Sequence, residues 1–124
     1  MTKSKTVLLI GLDPAVVDYA KWPGLTPEKL QAALEGDAGR MDEAGFAAQL
    51  CFIDHGETAA ATVEAALART AFDVILIGGG VRTDPAEFHL FEQLINVVHA
   101  KAPTARICFN TGPTDSLDAV ERWV

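Results

Sequence analysis

Phe72-Asp73-Val74-Ile75-Leu76-Ile77-Gly78-Gly79-Gly80-Val81-Arg82-Thr83-Asp84-Pro85 is the stretch whose reading decides the fold. After Asp73 the apolar residues run on without polar alternation, the pattern of a strand buried on both faces, as in a parallel sheet. The strand empties into three consecutive glycines, an arginine and a helix start. Glycine admits positive φ and close approach of other atoms. In open α/β sheets the carboxyl end of a central strand is where ligands bind. Function is therefore expected at this end of the sheet.

Working outward, Thr6–Gly11 reads as a first buried strand and Ala47–Ile53 as a second, with Ala105–Asn110 a fourth beyond the central one. Helices are expected between them. Thr26 caps the first, with Pro27 and Glu28 in its first turn, and Gly45 supplies a left-handed stop. The second covers about Glu57–Thr70. Asp84-Pro85-Ala86-Glu87 has the form of a capping box opening a helix to about Ala100. A short last helix spans Asp115–Val124, after a turn at Thr111-Gly112-Pro113. Strict β-α alternation implies a parallel sheet with right-handed crossovers. The expectation is a single three-layer α/β domain, residues 1–124, with four parallel strands ordered 2-1-3-4 (flavodoxin-like, Rossmann-like) and helices on both faces.

The chain has 124 residues, 49 % hydrophobic and 22 % charged, with a formal net charge of −7. The acidic balance disfavours nucleic acid and anionic lipid as partners. Apolar runs are strand-length, which excludes a membrane span, and the start Met1–Lys5 with four apolar residues after it is too short for a secretory leader. Cys51 and Cys108 fall inside buried strands and read as free core thiols, consistent with a cytoplasmic location.

From Met41 to Gly112 the cadence resembles a response-regulator receiver domain. The residues that carry it are Glu43-Ala44-Gly45-Phe46, the alanine-rich second helix, Phe72–Ile77, and Ala102-Pro103 ahead of a strand ending at Thr111. The resemblance implies a flavodoxin-like fold and a signalling module working through protein contacts. Gly78 and Gly79 stand where the family places its phosphoacceptor aspartate, and there is no fifth strand with its lysine. The implied module would work without phosphorylation.

Parallel strands bring four turns to one edge, gathering Asp13, Asp54-His55, Gly78–Arg82 and Asn110-Thr111. Two readings of the glycine turn stay open: tight packing, or an anion cradle in which Gly78, Gly79 and Gly80 lend backbone N–H groups and Arg82 grips a phosphate or carboxylate. Asn110 and Thr111 complete the ligand-binding set. His55, facing Asp13, is a candidate acid/base pair, because imidazole titrates near neutrality; a solvated histidine is the alternative. The histidines lack metal-ligand spacing, so no metal site is expected, and no cofactor can be named. The long segment Leu12–Leu25 reads either as a lid or binding loop or as a surface excursion packed by Tyr19 and Trp22. In the helix Pro85–Ala100 the apolar arc, widened by Leu90 and Val97, exceeds what one sheet face needs. The excess suggests either burial under a neighbouring helix or a subunit contact; with Trp123 near the terminus, the latter would be a homodimer with Leu90 and Val97 near the shared face.

Overall fold

The computed structural model describes residues 5–112 and 114–124. The leader reading at Met1–Ser4 and the turn proline Pro113 lie outside the described residues. The four strands are β1 (Thr6–Leu12), β2 (Ala47–Ile53), β3 (Val74–Ile77) and β4 (Arg106–Phe109). All neighbours pair in parallel, in the order β2-β1-β3-β4, with Leu9 opposite both Leu50 and Leu76. The α/β class and the strand order expected from the alternation are those observed. Burial follows position: β3 is fully buried in the centre, while Ala47 and Gln49 of edge strand β2 are exposed.

Alternate side chains of each strand serve two cores, which makes the fold three-layered. On one face Leu8, Ile10, Ile53, Ile75 and Ile77 pack beneath helices α2 (Ala59–Arg69) and α4 (Phe88–Lys101). On the other, Val7, Leu9, Val74, Leu76 and Cys108 pack beneath α1 (Pro27–Glu43) and α5 (Ser116–Glu121). Thr26 caps α1 through a 3.2 Å bond from the Lys29 N–H, and Gly45 adopts φ +95 just after its end, both as expected.

Two local expectations are corrected, and of two readings of the α4 arc the structure shows burial under a neighbouring helix. The glycine turn is not a loop: Gly79–Arg82 closes a single helical turn, α3. None of its glycines has positive φ, a conformation found only at Gly24, Gly45 and Gly56 among the described residues. Gly78 is needed for close approach instead, since a Cβ there would sit 3.2 Å from the Ile10 carbonyl oxygen. Asp84 caps a 3-10 turn, Pro85–Glu87, by accepting from the Ala86 N–H, and α4 begins only at Phe88. Glu87 does not fold back onto that cap as a capping box requires. It is buried and turned toward His55. Finally, the wide apolar arc of α4 is used within the chain. Leu90, Leu94 and Val98 are buried, and Phe91, Ile95 and Val97 pack on the same cluster because α4 lies against α2 as well as the sheet. Leu90 is thus no part of a free face. No helix among the described residues is long and apolar enough to cross a membrane.

Candidate functional site

The four carboxyl-edge turns are gathered as the topology requires, and most of their polar groups are already engaged with one another. Asp13 follows β1 and accepts from the Ala15 N–H at 2.9 Å, forming a local turn, while its own N–H donates to the Ile53 carbonyl. Asp54, at the end of β2, accepts from Gly56 N–H, Thr58 N–H and the Thr58 hydroxyl. These bonds, led by that hydroxyl, hold its carboxyl at about 2. Asp54 is therefore the clasp that leads into α2.

His55 bridges two other segments. Its Nδ1 lies 2.6 Å from Glu87 Oε1 and its Nε2 lies 2.6 Å from the Val16 carbonyl oxygen. Both partners accept, so both ring nitrogens must donate, and the arrangement suits the imidazolium. The bond to Val16 is the main cause that raises the His55 pKa, opposed by burial and helped by Glu87. To act as a general base, His55 would first have to break one of these bonds. Beside it, Lys21 reaches Asp84 at 2.9 Å. Through His55–Val16 and Lys21–Asp84 the segment after β1 is tied down at two points. Tyr19 closes it internally by donating to the Pro14 carbonyl at 2.6 Å, while Trp22 stays largely exposed.

On the other side, Arg82 Nη2 donates to both the main-chain and side-chain oxygens of Asn110, the latter at 3.2 Å. The guanidinium lies 5.5 Å over the Phe109 ring. Arg82 Nε, however, is buried with no hydrogen-bond partner. Gly79 sits beneath this contact: a Cβ there would come within 3.8 Å of both Arg82 Nη2 and Asn110 Oδ1. Asn110, itself buried, passes the chain on, donating from Nδ2 to Ser116 Oγ at 3.0 Å. Ser116 donates to Asp37 Oδ2 at 2.5 Å, and Arg40 donates to Asp37 Oδ1. Thr111 is turned to Asp115, which accepts from both its N–H and its hydroxyl.

Of the residues singled out from sequence, the structure joins Gly79, Arg82 and Asn110 in one cluster and ties His55 into another. Asp13 and Thr111 are occupied in separate local turns. Two buried polar residues, Asp37 and Ser116, escaped the sequence reading, and a third, Glu87, was read only as half of a capping box. Asp37 had a usable signal, because it falls in the Leu30–Met41 apolar stripe where a charge is out of place. A hollow of about 270 Å³ opens at the opposite end of the sheet, between Arg69–Phe72 and Lys101–Thr104. Its cations sit at the last turns of α2 and α4, where they complement helix dipoles. The candidate site therefore rests on the chemistry at the carboxyl edge and not on this hollow. No protein-family model matches the chain, and no curated protein matches it in sequence.

Proposed function

We propose that this protein binds a small anionic ligand, a phosphate or carboxylate, at the carboxyl ends of β1, β3 and β4, with Arg82 as the anchor. The observation that carries the reading is the orphaned Nε of Arg82. Leaving a buried donor unmade costs about 1–3 kcal/mol, and more for charged groups. Arg82 is thus held in a position where Asn110 meets only part of its hydrogen-bonding capacity. An incoming oxyanion offers the planar fork paired acceptors and full charge, a better match than an amide. Gly79 and Gly80 keep the approach free of side chains. Their own N–H groups are a second source of donors for the same oxygens.

A thermal-shift series with inorganic phosphate, nucleotides and small dicarboxylates tests this. At a hundredfold excess over Kd a ligand adds about 2.7 kcal/mol. The expected result is a rise in Tm for at least one anion in the wild type and none in Arg82→Ala. An Arg82→Ala protein that responds as the wild type does overturns the reading. A second reading, a receiver-like interaction module without phosphorylation, is favoured by Phe88. This aromatic is 59 % exposed at the start of α4, stacked edge-on against His89 at 5.6 Å. That reading predicts that Phe88→Ala abolishes capture of a protein partner while leaving every anion response intact.

A further inference from the structure

The two edges of the sheet are finished differently. On β4, Arg122 donates to the Phe109 carbonyl at 3.1 Å, and Arg106 is exposed alongside. Such charged side chains are a usual guard against edge pairing. Strand β2 is seven residues long, Ala47-Ala48-Gln49-Leu50-Cys51-Phe52-Ile53, with no charge and no proline. Its inward groups are known from their partners: the Ala47 N–H donates to Lys5 O, and the Ile53 carbonyl accepts from the Asp13 N–H. Backbone groups alternate sides along a strand, so Ala48, Leu50 and Phe52 present theirs outward. Among the described residues, only the Ala48 N–H of these three has a partner, Asp42 Oδ1 at a long 3.4 Å. Phe52 is half-buried yet belongs to neither core cluster.

The strand is also complementary to its own reverse. Centred on Leu50, antiparallel self-pairing sets Phe52 across from Ala48 of a second copy, Ile53 across from Ala47, and Cys51 across from Gln49. Each large apolar side chain at the strand's end meets an alanine. A parallel pairing in register would instead stack Phe52 on Phe52 and leave the alanines facing each other. We propose that the outer edge of β2 is a self-association surface, on which a second copy of this chain pairs antiparallel about a two-fold axis through Leu50. Ala48, Leu50 and Phe52 then exchange both N–H···O bonds with their opposites. The contact is isologous and closes on itself, so it ends at a dimer with one continuous sheet rather than a fibre. This inference is independent of the anion reading, since it uses no residue of that site.

Sedimentation equilibrium from micromolar to millimolar concentration tests it. The wild type is expected to move from the 13.2 kDa chain mass to twice that value. Leu50→Lys puts like charges directly opposite at the axis, which destabilises a cross-strand pair, and should sediment as a monomer with an unchanged circular-dichroism spectrum. Mixing Leu50→Lys with Leu50→Glu should restore the double mass, a rescue that an unfolded variant cannot give. For register, Gln49→Cys places a thiol opposite native Cys51, with Cα atoms about 4.5 Å apart in a non-hydrogen-bonded pair, within disulfide reach. Copper-phenanthroline oxidation should yield a covalent dimer that disappears in Gln49→Cys/Cys51→Ala. A mass of 13.2 kDa throughout, a dimer that survives Leu50→Lys, or a crosslink that persists without Cys51 each overturns the proposal.

Discussion

Removing the His55 imidazole should cost stability in a pH-dependent way. In His55→Ala the Val16 carbonyl, which lies at the surface, is rehydrated at little cost. Glu87, whose side chain is 8 % exposed, is left with a buried carboxylate and no imidazolium. A hydrogen bond to a charged group contributes about 1.5–3 kcal/mol. The imidazole itself is 39 % exposed, so solvent screening trims the expected loss to about 1–2 kcal/mol. For a chain of this size that corresponds to a fall in Tm of roughly 3–10 °C.

The sign with pH follows from the direction of the shift. The folded-state pKa of His55 is raised above 6.5 by Val16 and Glu87, with Glu57 adding its field. The linked stabilisation is therefore complete below about pH 6.5 and is lost as pH rises through the folded-state value. Lys21 and Asp84 face the same pair but keep their charges across this range, since Lys21 is raised and Asp84 lowered by their mutual bond. Urea unfolding of wild type and His55→Ala at pH 6 and pH 9 isolates the effect, because both proteins carry His89 and His99. The gap between them should shrink by at least half at the higher pH. A gap equal at both values, or an NMR titration placing His55 at or below 6.5, would refute the imidazolium clasp.

Two further outcomes follow from the geometry. Gly78→Ala should cost about 1–2 kcal/mol by overpacking, because its Cβ meets the Ile10 carbonyl at 3.2 Å and neither backbone can yield alone; Gly11→Ala, with nothing within 4 Å, should be nearly neutral in the same chemical unfolding assay. Ser116→Ala strips a partner from both Asn110 and Asp37 and should destabilise by about 2–4 kcal/mol, counting two buried polar groups left unsatisfied. An unchanged urea midpoint would mean that the Asp37–Ser116–Asn110 chain carries no stability.

The fold was legible because its determinants are local and periodic. Val74–Ile77 is apolar at every position, which only burial on both faces accommodates. Thr26 with Pro27 and the left-handed Gly45 mark the ends of α1 from three residues. The site was legible only as an address. Strand order alone brings Arg82 near Asn110, but whether they face a ligand or each other depends on rotamers and distances that no spacing encodes. Asp84 and Glu87 illustrate the difficulty. Their spacing matches a capping box, yet Pro85 starts a 3-10 turn, Asp84 adds an ion pair with distant Lys21 to its cap, and Glu87 turns to His55 instead of the cap. Those partners are 63 and 32 residues away in sequence, beyond any local pattern.

That density of internal pairing bears on what a ligand at this edge must do. Asp54 is satisfied by Thr58, Asp84 by Lys21, Glu87 by His55 and Asp115 by Thr111. A molecule that engages any of these carboxylates must compete with a partner of opposite or complementary character already in place. The chain's net charge of −7 already disfavours anions at long range, so an anion must gain its affinity at short range. Among the described residues, Arg82 Nε is the buried side-chain atom without a hydrogen-bond partner of its own. If Arg82 leaves Asn110 for an oxyanion, Asn110 keeps its bond to Ser116 and so stays anchored to Asp37 and α1. The exchange therefore breaks the two Arg82–Asn110 bonds and keeps the Asn110–Ser116–Asp37 chain behind them. On the proposed anion reading, such a site would favour a compact oxyanion over a large one, since that chain does not retreat to enlarge it.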